Sequence, residues 1–206
     1  MNKETLQAIG ETAQEINKEN GWGAMKNFKR FIALTVSELS EMLEADRRNR
    51  WSKNIIKSFT CKDGSAIYGL GIAQAHQFII NTEHYVPWFT SIVKDTVEDE
   101  LADVVIRITS CLASLDLTIG DKDYSVLPHG ILRQLKEHAI PENVYDLTKL
   151  LVECDNVAYM DGIKRLENIA YLCFDYADFL DIDLEWHIAA KLTYNKTRPY
   201  RHGKSY

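Results

Sequence analysis

Two pairs of acidic residues with the same spacing are the part of this chain best suited to chemistry. Glu38 and Glu41 form one pair, and Glu100 and Asp103 form the other. Residues three positions apart share one face of an α-helix, and at about 100° per residue both pairs fall inside an apolar stripe. Carboxylates that face a core are costly unless a cation neutralises them. Because oxygen ligands suit Mg²⁺ and Mn²⁺, the two pairs predict a binding site for such an ion.

An alternative interpretation is that each pair lies at the edge of an amphipathic helix and reaches water. One pair alone would favour that interpretation, but two pairs of the same form, both central in their stripes, favour a metal site. A ferritin-like di-metal bundle would need Glu-x-x-His on two helices, and this spacing does not occur in the chain. The predicted site is therefore made of carboxylates alone.

Long helices must hold these acids, because four prolines and ten glycines in 206 residues leave few breaks. End signals include Asn20-Gly21 as a C-cap, a break at Asp161-Gly162 and Asp183 as an N-cap. Residues 116–128 are predicted as loop, whereas a short helix near 72–80 and a strand at 76–81 both remain open. The predicted helices cover residues 3–19, 25–46, 89–115, 141–159, 163–180 and 184–196.

The composition limits the classes of function. A hydrophobic fraction of 46% in 206 residues is enough for a substantial core, in one compact domain or two closely packed halves. The net charge of −6 argues against general nucleic-acid binding. Four cysteines without Cys-x-x-Cys spacing indicate reduced thiols. A polar N-terminus without a signal peptide, and no apolar run long enough to cross a membrane, predict a cytoplasmic protein without a membrane partner.

Glu-x-x-Glu on one helix and Glu-x-x-Asp on a later helix resemble the motifs of MazG-like enzymes. These enzymes form the all-α nucleoside triphosphate pyrophosphatase superfamily, which includes the dimeric dUTPases. Ser37 stands where the first family motif usually has an acid, and the longer gap between the motifs indicates an inserted segment at 47–92. The resemblance implies a single all-α helical bundle over residues 1–206, Mg²⁺ as the cofactor, and a homodimer or higher homo-oligomer.

The C-terminal segment adds to this resemblance. Lys191, Asn195 and Arg198 look like the Lys…Asn…Arg segment that contacts phosphates after the last helix of such enzymes. The chain has no acid after Glu185, and a carboxylate-rich site needs cations nearby to admit a polyphosphate. Arg201 and Lys204 would extend the segment as a movable clamp. The alternative is a disordered, charged terminus.

A second basic segment follows the first acid pair. Residues 47–62 carry six lysine or arginine residues and no acid, with Trp51 and Lys53 among them. One interpretation is an anion-binding flap in which Trp51 stacks on a base. The other is a solvated helix end whose cations suit the helix dipole, with Trp51 buried as tryptophan commonly is. The sequence favours neither.

Residues 124–206 can be interpreted as a degenerate second copy of the first half. Residues 100–117 align without gaps with 167–184, and residues 34–45 can be laid on 147–158. The predicted bundle would then be internally duplicated. At three of the four acid positions the second copy has uncharged residues, namely Leu151, Cys154 and Ala170.

The leading functional hypothesis follows from the resemblance. A nucleoside triphosphate and water would give the monophosphate and pyrophosphate, with Mg²⁺ or Mn²⁺ held by Glu38, Glu41, Glu100 and Asp103. Glu41 would orient or deprotonate the attacking water. A non-catalytic, metal-stabilised helical interaction protein is the competing class, and an enzyme similar to phosphoribosyl-ATP pyrophosphatase is a third alternative.

Overall fold

The computed structural model describes residues 1–22, 27–52 and 85–200. Within these ranges the chain forms eight α-helices and no β-strand, which confirms the predicted all-α helical bundle. Short 3₁₀ turns lie at Tyr124–Val126 and Cys154–Asn156. The helices are α1 (Lys3–Glu19), α2 (Phe28–Arg47), α3 (Tyr85–Ile92), α4 (Val97–Ser114), α5 (Ile131–Glu137), α6 (Ile140–Glu153), α7 (Tyr159–Phe179) and α8 (Leu184–Lys196).

The predicted ends of the first and last helices agree with the structure. Gly21 has a φ of 76° after α1, as a glycine C-cap requires. The side chain of Asp183 accepts a hydrogen bond from the Trp186 amide at 3.1 Å, so it caps α8 as predicted. No element is predicted over Ile131–Glu137, where the structure has α5. The alternatives at 72–80 and 76–81 lie outside the described residues.

The prediction of one continuous helix over 89–115 is wrong. The chain turns between α3 and α4, where Asp95 takes a φ of 59°. Thr96 then starts α4 as its N-cap, and its side chain accepts a hydrogen bond from the Asp99 amide at 3.3 Å. This cap fixes the start of the second acidic motif, because Glu100 lies in the first turn of α4 and Asp103 follows in the next turn.

The predicted break at Asp161-Gly162 is also wrong, because both residues lie in the first turn of α7. A β-carbon on Gly162 would lie 2.4 Å from the carbonyl oxygen of Cys154. The glycine is therefore needed for the close approach of α7 to the end of α6, not for a turn.

α4 is the central helix of the bundle. It packs against α1, α2, α7 and α8, and most of its residues are buried. A helix that is buried nearly all round must place its polar residues against other elements rather than water. The acids of α4 are therefore forced into contact with residues from neighbouring helices.

The helices that align in the predicted duplication face one another. α2 and α4 pack together, α6 and α7 pack together, and each pair contacts the other through α2–α6 and α4–α7. The residues that replace the acids in the second pair are core residues, with Leu151 and Ala170 fully buried and Cys154 2% exposed. The duplication itself stays a prediction.

None of the helices in the described ranges has the length and apolar character needed to span a bilayer.

Gly10 allows α1 to lie directly on α4. A β-carbon at this position would lie 2.5 Å from the Thr109 carbonyl oxygen and 3.3 Å from the Ala113 side chain. We expect Gly10→Val to destabilise the protein by roughly 3 kcal/mol, because overpacking against backbone forces the two helices apart. Thermal unfolding measures the loss. Ala8→Val, on the exposed face of α1, also introduces a β-branched side chain into this helix and should cost less than about 1 kcal/mol; equal losses would contradict the packing argument.

Candidate functional site

Three of the four predicted acids meet between α2 and α4. One carboxylate oxygen from each of Glu38, Glu100 and Asp103 lies within 4.8 Å of the other two. Glu38 and Glu100 are 5% and 3% exposed, and Asp103 is half-buried. The i, i+3 spacing on α4 places both of its acids toward α2. We call Glu38, Glu100 and Asp103 the carboxylate group.

Glu41 is placed differently from its predicted position. Its side chain is exposed to solvent, so the prediction that both acid pairs lie centrally in apolar stripes is wrong for this residue. Glu41 lies beside the carboxylate group rather than in it, and its charge contributes to raising the pKa of Glu38. It therefore forms the solvent side of the site.

Arg107 is the cation that faces Glu38. Its Nε donates a hydrogen bond to Glu38 Oε1 at 2.6 Å, and its side chain is 37% exposed. Burial raises the pKa of Glu38 above its ordinary value, even though the Arg107 charge acts in the opposite direction. Arg107 follows Asp103 by one helical turn. α4 therefore supplies Asp103 to the carboxylate group and also supplies the cation that pairs with Glu38 of α2.

Lys191 of α8 reaches the other side of the group. Its Nζ lies 2.8 Å from Asp99 Oδ2 and 2.6 Å from Asp103 Oδ2, and the residue is 6% exposed. Burial alone would lower the pKa of Lys191, but the charges of Asp103 and Asp99 raise it above its ordinary value. The structure thus brings the predicted phosphate contact to the site, with its ammonium directed at two carboxylates.

Asp99 is a site residue that the sequence analysis did not identify. It has no exposed surface, and its Oδ2 accepts hydrogen bonds from the Asp95 amide at 3.0 Å and from Lys191. Its Oδ1 has no hydrogen-bond partner in the part of the chain that the structure describes. Burial raises the pKa of Asp99 to about 7. The sequence signal for Asp99 was weak. Acids are common in the first turn of a helix because the helix dipole favours them there, and they usually lie exposed.

The Glu100 side chain has neither a hydrogen bond nor an ion pair to any residue that the structure describes. Burial and the charge of Asp99 raise the pKa of Glu100 to about 9. Four carboxyl groups (the carboxylate group and Asp99) thus face two cationic side chains, Arg107 and Lys191. A divalent cation would balance these charges, and the all-oxygen donor set fits Mg²⁺ or Mn²⁺.

A second group of acids shares one member with the first. Oxygens of Asp95, Asp99 and Glu100 also lie within 4.8 Å of one another. Asp95 is exposed and pairs with Lys94, and Asp99 is held by Lys191. Two of its three members therefore already have a cation, so this group fits a metal ion less well than the carboxylate group.

The C-terminal segment packs against the end of α1. Asn20 Nδ2 donates a hydrogen bond to the Asn195 carbonyl oxygen at 3.0 Å, and a β-carbon on Gly21 would overlap the ring of Tyr200. Helix α8 ends at Lys196, so Arg198 lies beyond it, half-buried. The segment is thus attached to the protein as far as Tyr200. The predicted clamp residues Arg201 and Lys204 lie outside the described residues, as does Lys53.

Comparison with known proteins gives a negative result. No family model, curated protein or solved structure matches this chain. The arrangement of side chains around the carboxylate group is therefore the basis on which a function can be assigned.

Trp51 lies where the chain leaves α2. Its indole Nε1 donates a hydrogen bond to Asp46 at 3.2 Å, and its half-buried ring packs against the core. The next residue, Ser52, donates its backbone N–H to Glu98 Oε2 at 2.9 Å. The contact with Glu98 holds Ser52 against the first turn of α4, which also carries Glu100.

An aromatic cluster holds α3 against α8. The Tyr85 hydroxyl donates a hydrogen bond to the Ala190 carbonyl oxygen at 2.5 Å, and the rings of Phe89 and Tyr194 stack at 4.5 Å. Lys191 Nζ lies 5.9 Å from the centre of the Phe89 ring. No sequence pattern predicts that these residues pack beside Lys191, because α3 and α8 are far apart along the chain.

His187 gives the protein a predicted sensitivity to acid. It is buried beside Ser52, whose Oγ lies 3.3 Å from His187 Nε2, and burial lowers its pKa to about 3. The unfolded chain binds a proton near pH 6.5, whereas the folded chain does so only near pH 3. His187 therefore makes the free energy of unfolding fall as the pH falls through this window, by up to about 1.4 kcal/mol per pH unit.

Denaturant unfolding between pH 7 and pH 4 tests this expectation. His187→Gln should show a smaller loss of stability on acidification than the wild type. His129→Gln, at an exposed position, should follow the wild-type curve. Parallel curves for His187→Gln and the wild type would show that His187 does not contribute to the acid sensitivity.

Proposed function

We propose that the protein is a metal-dependent nucleoside triphosphate pyrophosphohydrolase. The observation that carries the proposal is the carboxylate group, in which Glu38 and Glu100 are buried and Asp103 is half-buried. Together with Asp99 its members outnumber the cations that face them. Buried carboxylates in excess of cations are costly in a protein core. A site that retains them without a bound cation would lose stability for no structural gain.

The carboxylate group would hold Mg²⁺ or Mn²⁺. When bound, the ion would offset charge on the phosphate oxygens and lower the pKa of a coordinated water. Arg107 fixes the orientation of Glu38 through its hydrogen bond. Lys191 does the same for Asp103. Both cations thereby keep their carboxylates in place when the site is empty of ligand.

The hydrolysis would take place on the solvent side of the group. A water oxygen forms a bond to the α-phosphorus, and the bond from this phosphorus to the α–β bridging oxygen breaks. Pyrophosphate leaves with the electron pair, and the water proton passes to Glu41, whose exposed carboxylate can accept it. The products are the nucleoside monophosphate and pyrophosphate.

The substrate phosphates would be bound by the basic C-terminal segment. Asn195 and Arg198 are near enough to the end of α8 to be fixed donors, and Arg201 and Lys204 follow as the outer pair. Fixed donors aimed at developing charge are effective in phosphoryl transfer. Trp51 and Lys53, at the start of the second basic segment, are proposed to contact the nucleotide as well.

Ser37 favours a second candidate function. In the position where the family motif usually has an acid, the Ser37 hydroxyl donates a hydrogen bond to the Leu34 carbonyl oxygen at 2.7 Å. Its proton is therefore used within its own helix, and the neutral hydroxyl does not replace the charge of a carboxylate. A site with one acid fewer could bind metal without turning over nucleotides, as in a metal-stabilised interaction protein.

A panel of nucleotides distinguishes the two candidates. The purified protein is incubated with canonical and deoxyuridine triphosphates and with phosphoribosyl-ATP, in Mg²⁺ or in EDTA, and the products are separated. We expect monophosphate and pyrophosphate in Mg²⁺ only. Release of orthophosphate would indicate a different reaction. No turnover of any member, together with Mn²⁺ binding, would favour the interaction protein. Turnover of phosphoribosyl-ATP alone would favour the third alternative.

A further inference from the structure

We infer that Lys191, held by Asp99, is a positioning residue that fixes Asp103 for the metal, and is not a contact to the substrate phosphates. This inference rests on the proposed metal site. It assigns a role to Asp99, which lies in neither acidic pair, and it changes the role expected for Lys191 from the basic C-terminal segment.

The geometry around the lysine carries the inference. The ammonium lies between Asp99 Oδ2 at 2.8 Å and Asp103 Oδ2 at 2.6 Å. The contact with Asp99 is a charge-assisted hydrogen bond, and the contact with Asp103 is a close ion pair. The single ammonium therefore faces both carboxylates at once. Its ion pair is with Oδ2 of Asp103, not with Oδ1.

Burial keeps the lysine in this place. Asp99 has no exposed surface, and Lys191 is 6% exposed. If the ammonium turned toward a phosphate, Asp99 would remain as a buried charge without its partner, which is strongly destabilising. The helix cannot shift easily, because the Tyr85 hydroxyl binds the carbonyl oxygen of the preceding residue, Ala190. The centre of the Phe89 ring lies 5.9 Å from the Lys191 ammonium, within the range of a cation–π interaction.

Asp99 has a second effect, on the charge that Asp103 presents. One ammonium is shared by two carboxylates, so its charge does not act on Asp103 alone. If Asp99 lost its charge, the full attraction of Lys191 would fall on Asp103, which would compete with the metal for the same carboxylate. Asp99 thus supports metal binding without being a ligand in the carboxylate group.

Isothermal titration calorimetry of the full chain with Mn²⁺ tests these roles. It measures metal affinity directly and does not depend on hydrolytic activity. The first variant is the double replacement Lys191→Met with Asp99→Asn, which removes one charge of each sign. Replacing a buried ion pair by neutral residues of similar volume commonly keeps a fold stable. We expect thermal unfolding close to that of the wild type, with Mn²⁺ affinity lowered at least tenfold. Lys196→Met, at an exposed position of the same helix, is the matched control and should bind like the wild type.

Asp99→Asn alone keeps the test decisive if the double variant does not fold. The amide still accepts hydrogen bonds, so the packing is preserved, and we expect about tenfold weaker Mn²⁺ binding. Asp95→Asn is its control, because Asp95 also lies close to Glu100 but is exposed and does not contact Lys191. If Asp99→Asn loses no more Mn²⁺ affinity than Asp95→Asn, only the number of negative charges near the site matters. That result would overturn the inference.

The remaining outcomes separate this inference from the proposed function. If the wild type binds Mn²⁺ and the double variant binds it equally well, Lys191 does not position Asp103, while the metal site stands. A raised KM for nucleotide with unchanged Mn²⁺ affinity would instead make Lys191 a phosphate contact. If the wild type does not bind Mn²⁺, the metal site fails and the inference fails with it.

Discussion

Replacement of Glu100 by glutamine should abolish Mn²⁺ binding and lower nucleotide hydrolysis by about a thousandfold or more. Glu100 is the member of the carboxylate group that has no cation in direct contact within the described residues. It is therefore the carboxylate whose charge depends most on a bound metal ion. Loss of an ion that contributes several kcal/mol to the transition state corresponds to a loss of this size.

The same replacement should stabilise the metal-free protein at neutral and alkaline pH. Burial raises the pKa of Glu100 from its ordinary value of 4.5 to about 9. Between these values the unfolded chain has released the proton that the folded chain still holds. The free energy of unfolding therefore falls as the pH rises through this window, by up to about 1.4 kcal/mol per pH unit from this group. Glutamine has no proton to release, so this contribution disappears.

Two measurements check the expectation. Denaturant unfolding in EDTA from pH 5 to pH 9 should show a flatter pH dependence for Glu100→Gln than for the wild type. Mn²⁺ should raise the melting temperature of the wild type. At an Mn²⁺ concentration a hundred times the Kd of the site, the free energy of unfolding should increase by about 2.7 kcal/mol. Mn²⁺ should not change the melting temperature of the variant. Glu142→Gln, at an exposed position of α6, should behave as the wild type in both. Full hydrolytic activity in Glu100→Gln would remove Glu100 from the site.

The spacing of the acids predicted which carboxylates share a helix face better than it predicted how deeply each of them is buried. Glu100 and Asp103 meet Glu38 as the i, i+3 pattern suggested, because helix periodicity fixes which residues share a face. Periodicity does not say how far a neighbouring helix covers that face. α4 covers Glu38 but leaves Glu41 in solvent, and this depends on a contact between segments far apart in sequence.

The cations of the site depend even more on contacts between segments that are far apart in sequence. The C-terminal pattern identified Lys191, but a sequence gives no distance between residues 99 and 191. The ion pair with Asp99 exists because α8 packs across the start of α4. Arg107 lies one turn after Asp103 on the same helix, but its hydrogen bond to Glu38 again depends on the packing of α2 against α4.

The helix end before the second motif could have been read from local chemistry. Thr96 followed three residues later by Asp99 is a pattern typical of a helix N-terminus. Phe89, Ile92 and Val93 stand at helical spacing, which indicated a continuous helix instead. The positive φ of Asp95 has no unambiguous sequence signal. The error matters for function, because the true start of α4 makes Asp99 a first-turn residue turned toward Lys191.

Glu41→Gln should separate metal binding from turnover. Glu41 is exposed beside the carboxylate group and is not among the three acids that meet in it. If it accepts the proton of the attacking water, its loss should lower kcat by roughly a hundredfold to ten-thousandfold. Mn²⁺ affinity should change by a factor of about three or less, because removal of an exposed charge near a site is screened by solvent.

The measurement is a pair of titrations on one protein preparation, one with Mn²⁺ alone and one with nucleotide at saturating Mg²⁺. Glu44→Gln is the matched control, since Glu44 lies one turn further along α2 and pairs with Arg48 at 2.8 Å. It should retain both metal affinity and kcat. If Glu41→Gln loses Mn²⁺ binding together with turnover, Glu41 is a fourth ligand, as the spacing of the acid pairs first suggested. If it keeps full kcat, the proton must pass to another group, and the role proposed for Glu41 is wrong.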